Sequence, residues 1–266
     1  MLKRVLTIAG SDSGGGAGIQ ADIKTISAIG CYAASAVTAI TAQNTMEVAA
    51  VEPLSTEIVE RQIRAVLDDI GADAVKIGML GTAEIVCTVA ALIREYRPPF
   101  VVLDPVLVAT SGDVLTGGSA AEAIASELMP LATVVTPNIP EAERLTGLSI
   151  GSEADYEPVW EAFRGRGARA LLLKGGHLDG NMLIDSLFTT RELRPHSYPH
   201  PRIETRNTHG TGCTLSSALA SYLALGYPLH RAAELATEYV HRAIDAGREL
   251  RIGEGHGPVD HFFRSR

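Results

Sequence analysis

The stretch VLTIAGSDSGGGAGIQADIKTISAIG, residues 5–30, is a strand, a glycine-rich turn and an amphipathic helix in immediate succession. Val5 to Ile8 supply the apolar strand, and IQADIKTISAIG returns apolar residues at helical spacing. A strand that turns directly into a helix must cross back over the sheet to reach its next partner, so this unit predicts a parallel sheet covered by helices. Four glycines stand among the five residues 14–18, more than a tight turn requires. Either phosphates at a helix N-terminus or a backbone lying close to a ligand would explain them. The spacing excludes two fingerprints. A GxGxxG beginning at Gly14 needs glycine where Ile19 stands, and no acidic residue closes the second strand. A GxxxxGK[ST] loop from Gly10 needs lysine where Gly16 stands. Asp12 is available as a helix cap or as the acceptor of a substrate hydrogen bond.

Outward from this unit the alternation continues. Branched-apolar runs at Ala36 to Ile40, Ala74 to Ile77, Val101 to Leu103, Val134 to Val135 and Ala170 to Leu173 alternate with helical stretches at Thr56 to Ile70, Ala83 to Tyr96 and Ala120 to Leu128. Beyond Lys174 the texture becomes that of a hairpin or edge strands, MLIDSLFTT and SYPHPRIET, before helices resume at Gly212 and Leu229. No repeat or linker interrupts the 266 residues, and the expectation is one doubly wound α/β domain spanning 1–266. Hydrophobic residues make up 46% and charged ones 20%, enough apolar material for an extensive core.

Net charge of −8 argues against a nucleic acid or an anionic membrane as partner, while leaving room for a small anionic substrate in a local pocket. The apolar run at the N-terminus ends before Ser11, too short for a signal peptide or a membrane span. Cys31, Cys87 and Cys213 are odd in number and far apart, which fits neither a disulfide framework nor a zinc set; a reducing cytoplasm is the expected location.

A second glycine loop, NTHGTGC at 207–213, opens into the alanine-rich run ending near Leu225. Gly210 and Gly212 let backbone N–H groups converge while the helix lends its positive end, an arrangement that binds anions. A thiol there, Cys213, is expected to have a lowered pKa and to be partly thiolate near neutral pH. The GxCxG of a hydrolase nucleophile is absent, because Thr211 and Leu215 occupy the glycine positions. His209 is close to the thiol in sequence; to act as its base it must also be close in space.

Three further clusters fall where strands end, the edge on which open parallel sheets bind ligands. They are Asp104 in LDPV, Asn138 and Glu141 in TPNIPEAERL, and Lys174 in LLLKGGH. Their oxygens suit a hydrated magnesium ion, and Lys174 suits phosphate oxygens. Asn138 with Glu141 three residues on has equally the form of a capping box, and Lys174 of a surface ion pair. Gln43, in QNT after the second strand, could bind a heteroaromatic ring bidentately, and Met79 in KIGML could pack on its face. His196, His200, His256 and His261 have no ligand spacing and are expected at the surface or in loops.

With these residues in hand, the chain resembles the hydroxymethylpyrimidine/phosphomethylpyrimidine kinases of thiamine biosynthesis, within the ribokinase-like superfamily that also holds pyridoxal kinases. The matching blocks are AGSDSGGGAGIQADIKT, TAQNT, KIGML, LDPV, TPNIPEAERL, LLLKGGH, NTHGTGCTLSSA and GEGHGPVDHF, in order and nearly end to end. The resemblance implies a three-layer α/β/α fold with a mostly parallel sheet, and ATP with Mg²⁺. It implies phosphorylation of 4-amino-5-hydroxymethyl-2-methylpyrimidine and then of its monophosphate. It places the pyrimidine against Gln43, Asp12, Met79 and Val106, the ATP phosphates on Lys174, Thr208, Gly210 and Thr211, and the metal near Asp104, Asn138 and Glu141. Cys213, Lys174, Gly210 and Gly212 are the implied catalytic set, and homodimers are common. Most sugar kinases of the superfamily carry Asp where this chain has Cys213, and many relatives carry Lys at the position of Thr110. Pyridoxal kinase activity, a non-catalytic nucleotide-dependent regulator and a thiol hydrolase are the competing functions. Ala109 to Gly118 and Gly176 to Asn181 are the candidate lids.

Overall fold

The computed structural model of the protein describes residues 2–107 and 118–264. In chain order the elements are β1 (Arg4–Asp12), α1 (Gly18–Ile29), β2 (Tyr32–Gln43), β3 (Val48–Pro53), α2 (Thr56–Asp69), β4 (Ala74–Ile77), α3 (Ala83–Tyr96), β5 (Val101–Leu103), α4 (Gly118–Ala123), β6 (Val134–Val135), α5 (Ile139–Thr146), α6 (Tyr156–Gly165), β7 (Ala170–Leu173), β8 (Met182–Thr189), β9 (His196–Pro201), α7 (Thr211–Ala224) and α8 (Leu229–Gly247). The strands form one nine-stranded sheet in the order β3-β2-β1-β4-β5-β6-β7-β8-β9. From β2 through β7 neighbours run parallel; β3, β8 and β9 pair antiparallel at the two edges. This is the mostly parallel α/β architecture expected from the alternating pattern.

Successive side chains of a strand point to opposite faces, and both faces here are covered. Leu6, Ile8, Val75, Ile77, Val101, Leu103, Val135, Leu171 and Leu173 enter one core with α2, α3, α5 and α6. Val5, Ala74, Val102, Val134, Ala170 and Leu172 enter the other with α7 and α8. Two layers of helices therefore sandwich the sheet, and a strand position that is polar must find its partner inside the protein.

The structure corrects three expectations. β3 was absent from the sequence pattern because Val48–Pro53 is an exposed edge strand that only pairs with β2, with little apolar alternation to mark it. β2 is longer than expected at both ends, so Gln43 is its last residue and not a loop residue. The helix expected at Ala120 to Leu128 is α-helical only to Ala123 and then widens into a π turn over Ile124–Leu128, ahead of Pro130. The first candidate lid, Ala109 to Gly118, and Thr110 within it lie outside the described residues, Gly118 apart. The second, Gly176 to Asn181, is an exposed turn before β8, tied by the Arg202 guanidinium to the carbonyls of Leu178 and Gly180.

Candidate active site

A cavity of about 610 Å³ opens at the carboxyl ends of the parallel strands. Its wall includes Asp12, Gln43, Met79 and Val106, all expected to face the pyrimidine. The same wall holds Asp104, Asn138, Glu141 and Lys174, together with Thr208, Gly210, Thr211, Gly212 and Cys213. Every site residue drawn from the sequence thus reaches one space.

Asp12 ends β1, and its carboxylate organises the turn that follows. It accepts the N–H groups of Gly14 at 2.7 Å, Gly16 at 3.0 Å and Ala17 at 2.8 Å, and pairs with His209 Nε2 at 2.9 Å. Burial works against this charge, but the His209 hydrogen bond and the backbone donors outweigh it and hold the carboxyl below the usual range. With the Gly15 N–H bonded to the Asp12 carbonyl at 2.9 Å, four amides of the first glycine loop are occupied by Asp12 itself, which favours the close-approach explanation of its glycines over a phosphate site. Nearby, a Cβ on Gly10 would lie 3.2 Å from Met79 Sδ. The Thr41 hydroxyl, which donates to the Ser11 carbonyl at 2.9 Å, lies 3.2 Å from Gln43 Oε1, and the Gln43 backbone is clasped by Ser13 Oγ in both directions.

The second loop starts α7. Gly210 is left-handed, at φ 81°, and a Cβ there would collide with the Gly16 carbonyl oxygen, so only glycine fits. The first-turn amides of Gly212 and Cys213 have no carbonyl of their own helix to bond. A Cβ on Gly212 would lie 3.2 Å from Lys174 Nζ and 3.7 Å from Asp104 Oδ2, which sets this turn directly against the charged cluster. In that cluster Asp104 Oδ1 accepts from Lys174 at 3.1 Å and from Thr136 at 3.2 Å, while Oδ2 accepts from Ser216 of α7 at 3.1 Å. Burial opposes the Asp104 charge, yet the Lys174 and Lys76 ammoniums hold its carboxyl below the ordinary range. Glu141 has a weaker claim on Lys174, at 3.8 Å, and burial pushes its carboxyl up to about 7. Asn138 and Glu141 form a reciprocal capping box on α5, with Asn138 Oδ1 accepting from the Glu141 N–H at 2.8 Å and Glu141 Oε2 from the Asn138 N–H at 2.8 Å. The capping-box reading is realised, and the cap orients a carboxylate that lines the cavity.

Cys213 is the third residue of α7, where a helix N-terminus favours thiolate, but the expected ionisation is overturned. Burial pushes this thiol up to about 12, and the Asp22 and Asp104 carboxylates add to it; the Lys76 ammonium and the Gly18 N–H act in the opposite direction without prevailing. His209 is committed to Asp12. His261 and Lys76 lie within the GEGHGPVDHF and KIGML blocks without an assigned role. His261, expected at the surface or in a loop, lies in a turn but is buried there, and burial with the nearby Lys24 lowers its pKa to about 4. Lys76, which sequence reasoning passed over, is 0% exposed, its ammonium bonded to Asp22 of α1 at 3.0 and 2.9 Å. Asp22 in turn accepts from Thr7 at 2.6 Å and Ser217 at 2.7 Å. The signal was in AVKI: a lysine inside a strand covered on both faces requires a buried counter-charge.

A cleft in which a helix N-terminus, a buried lysine and paired carboxylates face an amide and a thioether, on a parallel sheet sandwiched by helices, defines a small-molecule kinase of ribokinase-like architecture. Comparison with known proteins narrows this. The sequence profile of the phosphomethylpyrimidine kinase family matches residues 12–260, and the chain belongs to that family. The hydroxymethylpyrimidine/phosphomethylpyrimidine kinase of Rhizobium meliloti (strain 1021) is 54% identical over 265 residues, covering 99% of this chain and 98% of that one. Among solved structures, the phosphomethylpyrimidine kinase of Clostridium difficile 630 is 46% identical with a TM-score of 0.81, over 91% of this chain and 99% of the other. The pyridoxal kinase of Staphylococcus aureus in complex with pyridoxal is 35% identical with a TM-score of 0.91, over 100% of this chain and 96% of the other.

Proposed function

We propose that this kinase transfers a phosphoryl group from ATP to the hydroxymethyl group of 4-amino-5-hydroxymethyl-2-methylpyrimidine, and then a second to the monophosphate, giving the diphosphate used in thiamine biosynthesis. One observation carries the proposal: a single chain of contacts runs from the ring-binding residues to the phosphate-binding ones. Met79 borders Gly10, Gly10 borders Gly18, Gly18 and Cys213 line the same cavity wall, and the adjoining Gly212 faces Lys174 and Asp104. An acceptor ring on Gln43, Met79, Val106 and Asp12 would present its CH₂OH beside Cys213. The nucleotide phosphates would lie on Lys174, Thr208, Gly210, Thr211 and Gly212. Phosphoryl transfer asks for little beyond such alignment and neutralisation of charge.

The donor set fits magnesium. Asp104 and Glu141 are two buried carboxylates sharing one lysine, and Glu141, at about 7, is only partly ionised near neutral pH; Mg²⁺ is typically held by one or two carboxylates, waters and substrate phosphates. Asp104 and Glu141 would hold it, with Asn138 orienting Glu141, and its chemistry would be to neutralise phosphate charge. The thiol, protonated at rest, orients the acceptor hydroxyl; as the O–P bond forms it takes up the hydroxyl proton while its own S–H proton passes to an oxygen of the phosphoryl group, so that no charge is left on sulfur. We extend the proposal to a one-domain enzyme over 1–266, working as a homodimer in the cytoplasm. Exposed Tyr32, Ile40, Met46 and Val51 on and beside the β2–β3 edge support self-association, and no helix among the described residues is long and apolar enough to cross a membrane. The likeness to a pyridoxal kinase supports a second activity on that ring, which also bears a hydroxymethyl group. Measuring kcat/KM for the pyrimidine and for pyridoxal by ADP release decides between them: the pyrimidine is expected to be preferred, and a preference for pyridoxal would replace the first proposal by the second.

A further inference from the structure

We propose that His209 is a positioning residue for phosphoryl transfer, clasping the glycine loop on the acceptor side to the turn that receives the phosphates. The two loops lie 197 residues apart in sequence at the His209–Asp12 pair. His209 is 7% exposed, and its backbone is fixed by the bond from its N–H to the Gly257 carbonyl at 3.0 Å and by a bridge to Pro258. Its Nε2 lies 2.9 Å from Asp12 Oδ2. An ionised carboxylate only accepts, so Nε2 carries the hydrogen. Through Asp12 the ring governs three backbone amides, those of Gly14, Gly16 and Ala17, which shape the whole acceptor-side loop.

The join is also close-packed. A Cβ on Gly16 would lie 3.2 Å from His209 Nε2 and from Pro258 Cβ and closer still to the ring carbon between, while Gly210 admits no side chain because the Gly16 carbonyl fills the space. On its other side the loop is held by Lys24 Nζ, which donates to the Gly15 carbonyl at 2.7 Å. Neither loop can move without the other, so the acceptor pocket and the phosphate-binding turn keep one separation. In-line transfer is sensitive to errors of about 1 Å, which cost on the order of a hundredfold.

This inference rests on the proposed kinase activity, and the wild type is assayed first: failure to form phosphorylated product removes that activity, whatever His209 does. With turnover established, His209→Ala is expected to lower kcat for both phosphorylations about 30-fold or more, while the Kd of the pyrimidine and of ADP, each measured alone by calorimetry, changes less than about threefold. His209→Gln, whose amide can donate to Asp12, is expected to recover about a tenth or more of wild-type kcat. Asp12→Asn combined with His209→Ala is expected to lose no more than the worse single variant, the non-additivity of groups acting as a unit. Gly16→Ala, which wedges the two loops apart without removing a polar group, provides the same readout should His209→Ala not fold, and the same split is expected. An unchanged kcat overturns the inference. So does a fall in pyrimidine affinity that matches the fall in kcat, which would make His209 a direct ligand contact, and so does additivity in the double variant.

Discussion

At Cys213 the local environment outweighs the position. A helix N-terminus lowers thiol pKa values, and the motif alone points to a thiolate; the half-buried thiol at the cavity wall, with the Asp22 and Asp104 carboxylates near it, is instead pushed up to about 12. Iodoacetamide reacts with thiolates, so Cys213 in the ligand-free protein is expected to label at least about tenfold more slowly than exposed Cys87 at neutral pH, read by peptide mass spectrometry. Equal labelling would restore the thiolate. Cys213→Ala is expected to slow phosphorylation of the alcohol about tenfold, less than loss of a working general base, and to leave phosphorylation of the monophosphate nearly unchanged, because that acceptor oxygen is already ionised. Single-turnover rates with each substrate test this, and equal losses would remove Cys213 from the proton's path.

Glu141 carries a consequence of opposite sign to most carboxylates. Its carboxyl titrates at about 7 in the folded protein and near the ordinary glutamate range in the unfolded chain. Between those values the folded state binds the extra proton, so stability falls as pH rises through the window. Glu141→Gln keeps an acceptor for the Asn138 N–H and is expected to gain on the order of 1–3 kcal/mol relative to wild type between about pH 5 and pH 8, in metal-free and ligand-free urea denaturation. Asp185, pushed by burial up to about 6, slopes the same way but is present in both proteins. Identical pH slopes would mean that Lys174 keeps Glu141 ionised throughout.

Among the elements, legibility followed burial. β4, β5, β6 and β7 were read to both ends from the sequence because each is a short apolar run buried on both faces. β3, exposed and held only by its ladder with β2, left no apolar signature. The residues that reach the cavity were legible because loop chemistry is local: glycines that admit close approach, and polar residues placed just past strand ends. What joins them was not, since Lys76 to Asp22, Ser216 to Asp104 and His209 to Asp12 are contacts across long stretches of chain. Gly210 is the most demanding of the loop positions. Gly210→Ala would combine a strained left-handed backbone with a collision against Gly16 and is expected to reduce kcat/KM about a hundredfold or more. Gly212→Ala meets side-chain ends and no backbone, Lys174 Nζ at 3.2 Å and Asp104 Oδ2 at 3.7 Å, and is expected to lose less. Steady-state kinetics of the two variants give the order, and the reverse order would mean that contact between the loops is not what shapes the phosphate site.

Across the whole molecule, the parallel strands bring their carboxyl ends to one edge, and both glycine loops close over it from the α1 and α7 side. The residues proposed to bind the ring and those proposed to bind the phosphates therefore line a single cavity. That juxtaposition is what makes two consecutive transfers on one acceptor feasible. The most direct test mixes the protein with Mg-ATP and the hydroxymethylpyrimidine and follows all phosphorylated species with time by mass spectrometry. The monophosphate should rise first and then fall as the diphosphate accumulates, with two ADP released per pyrimidine consumed. Release of ADP without phosphorylated pyrimidine, or a monophosphate that persists under excess ATP, would show that the cavity does not serve both transfers.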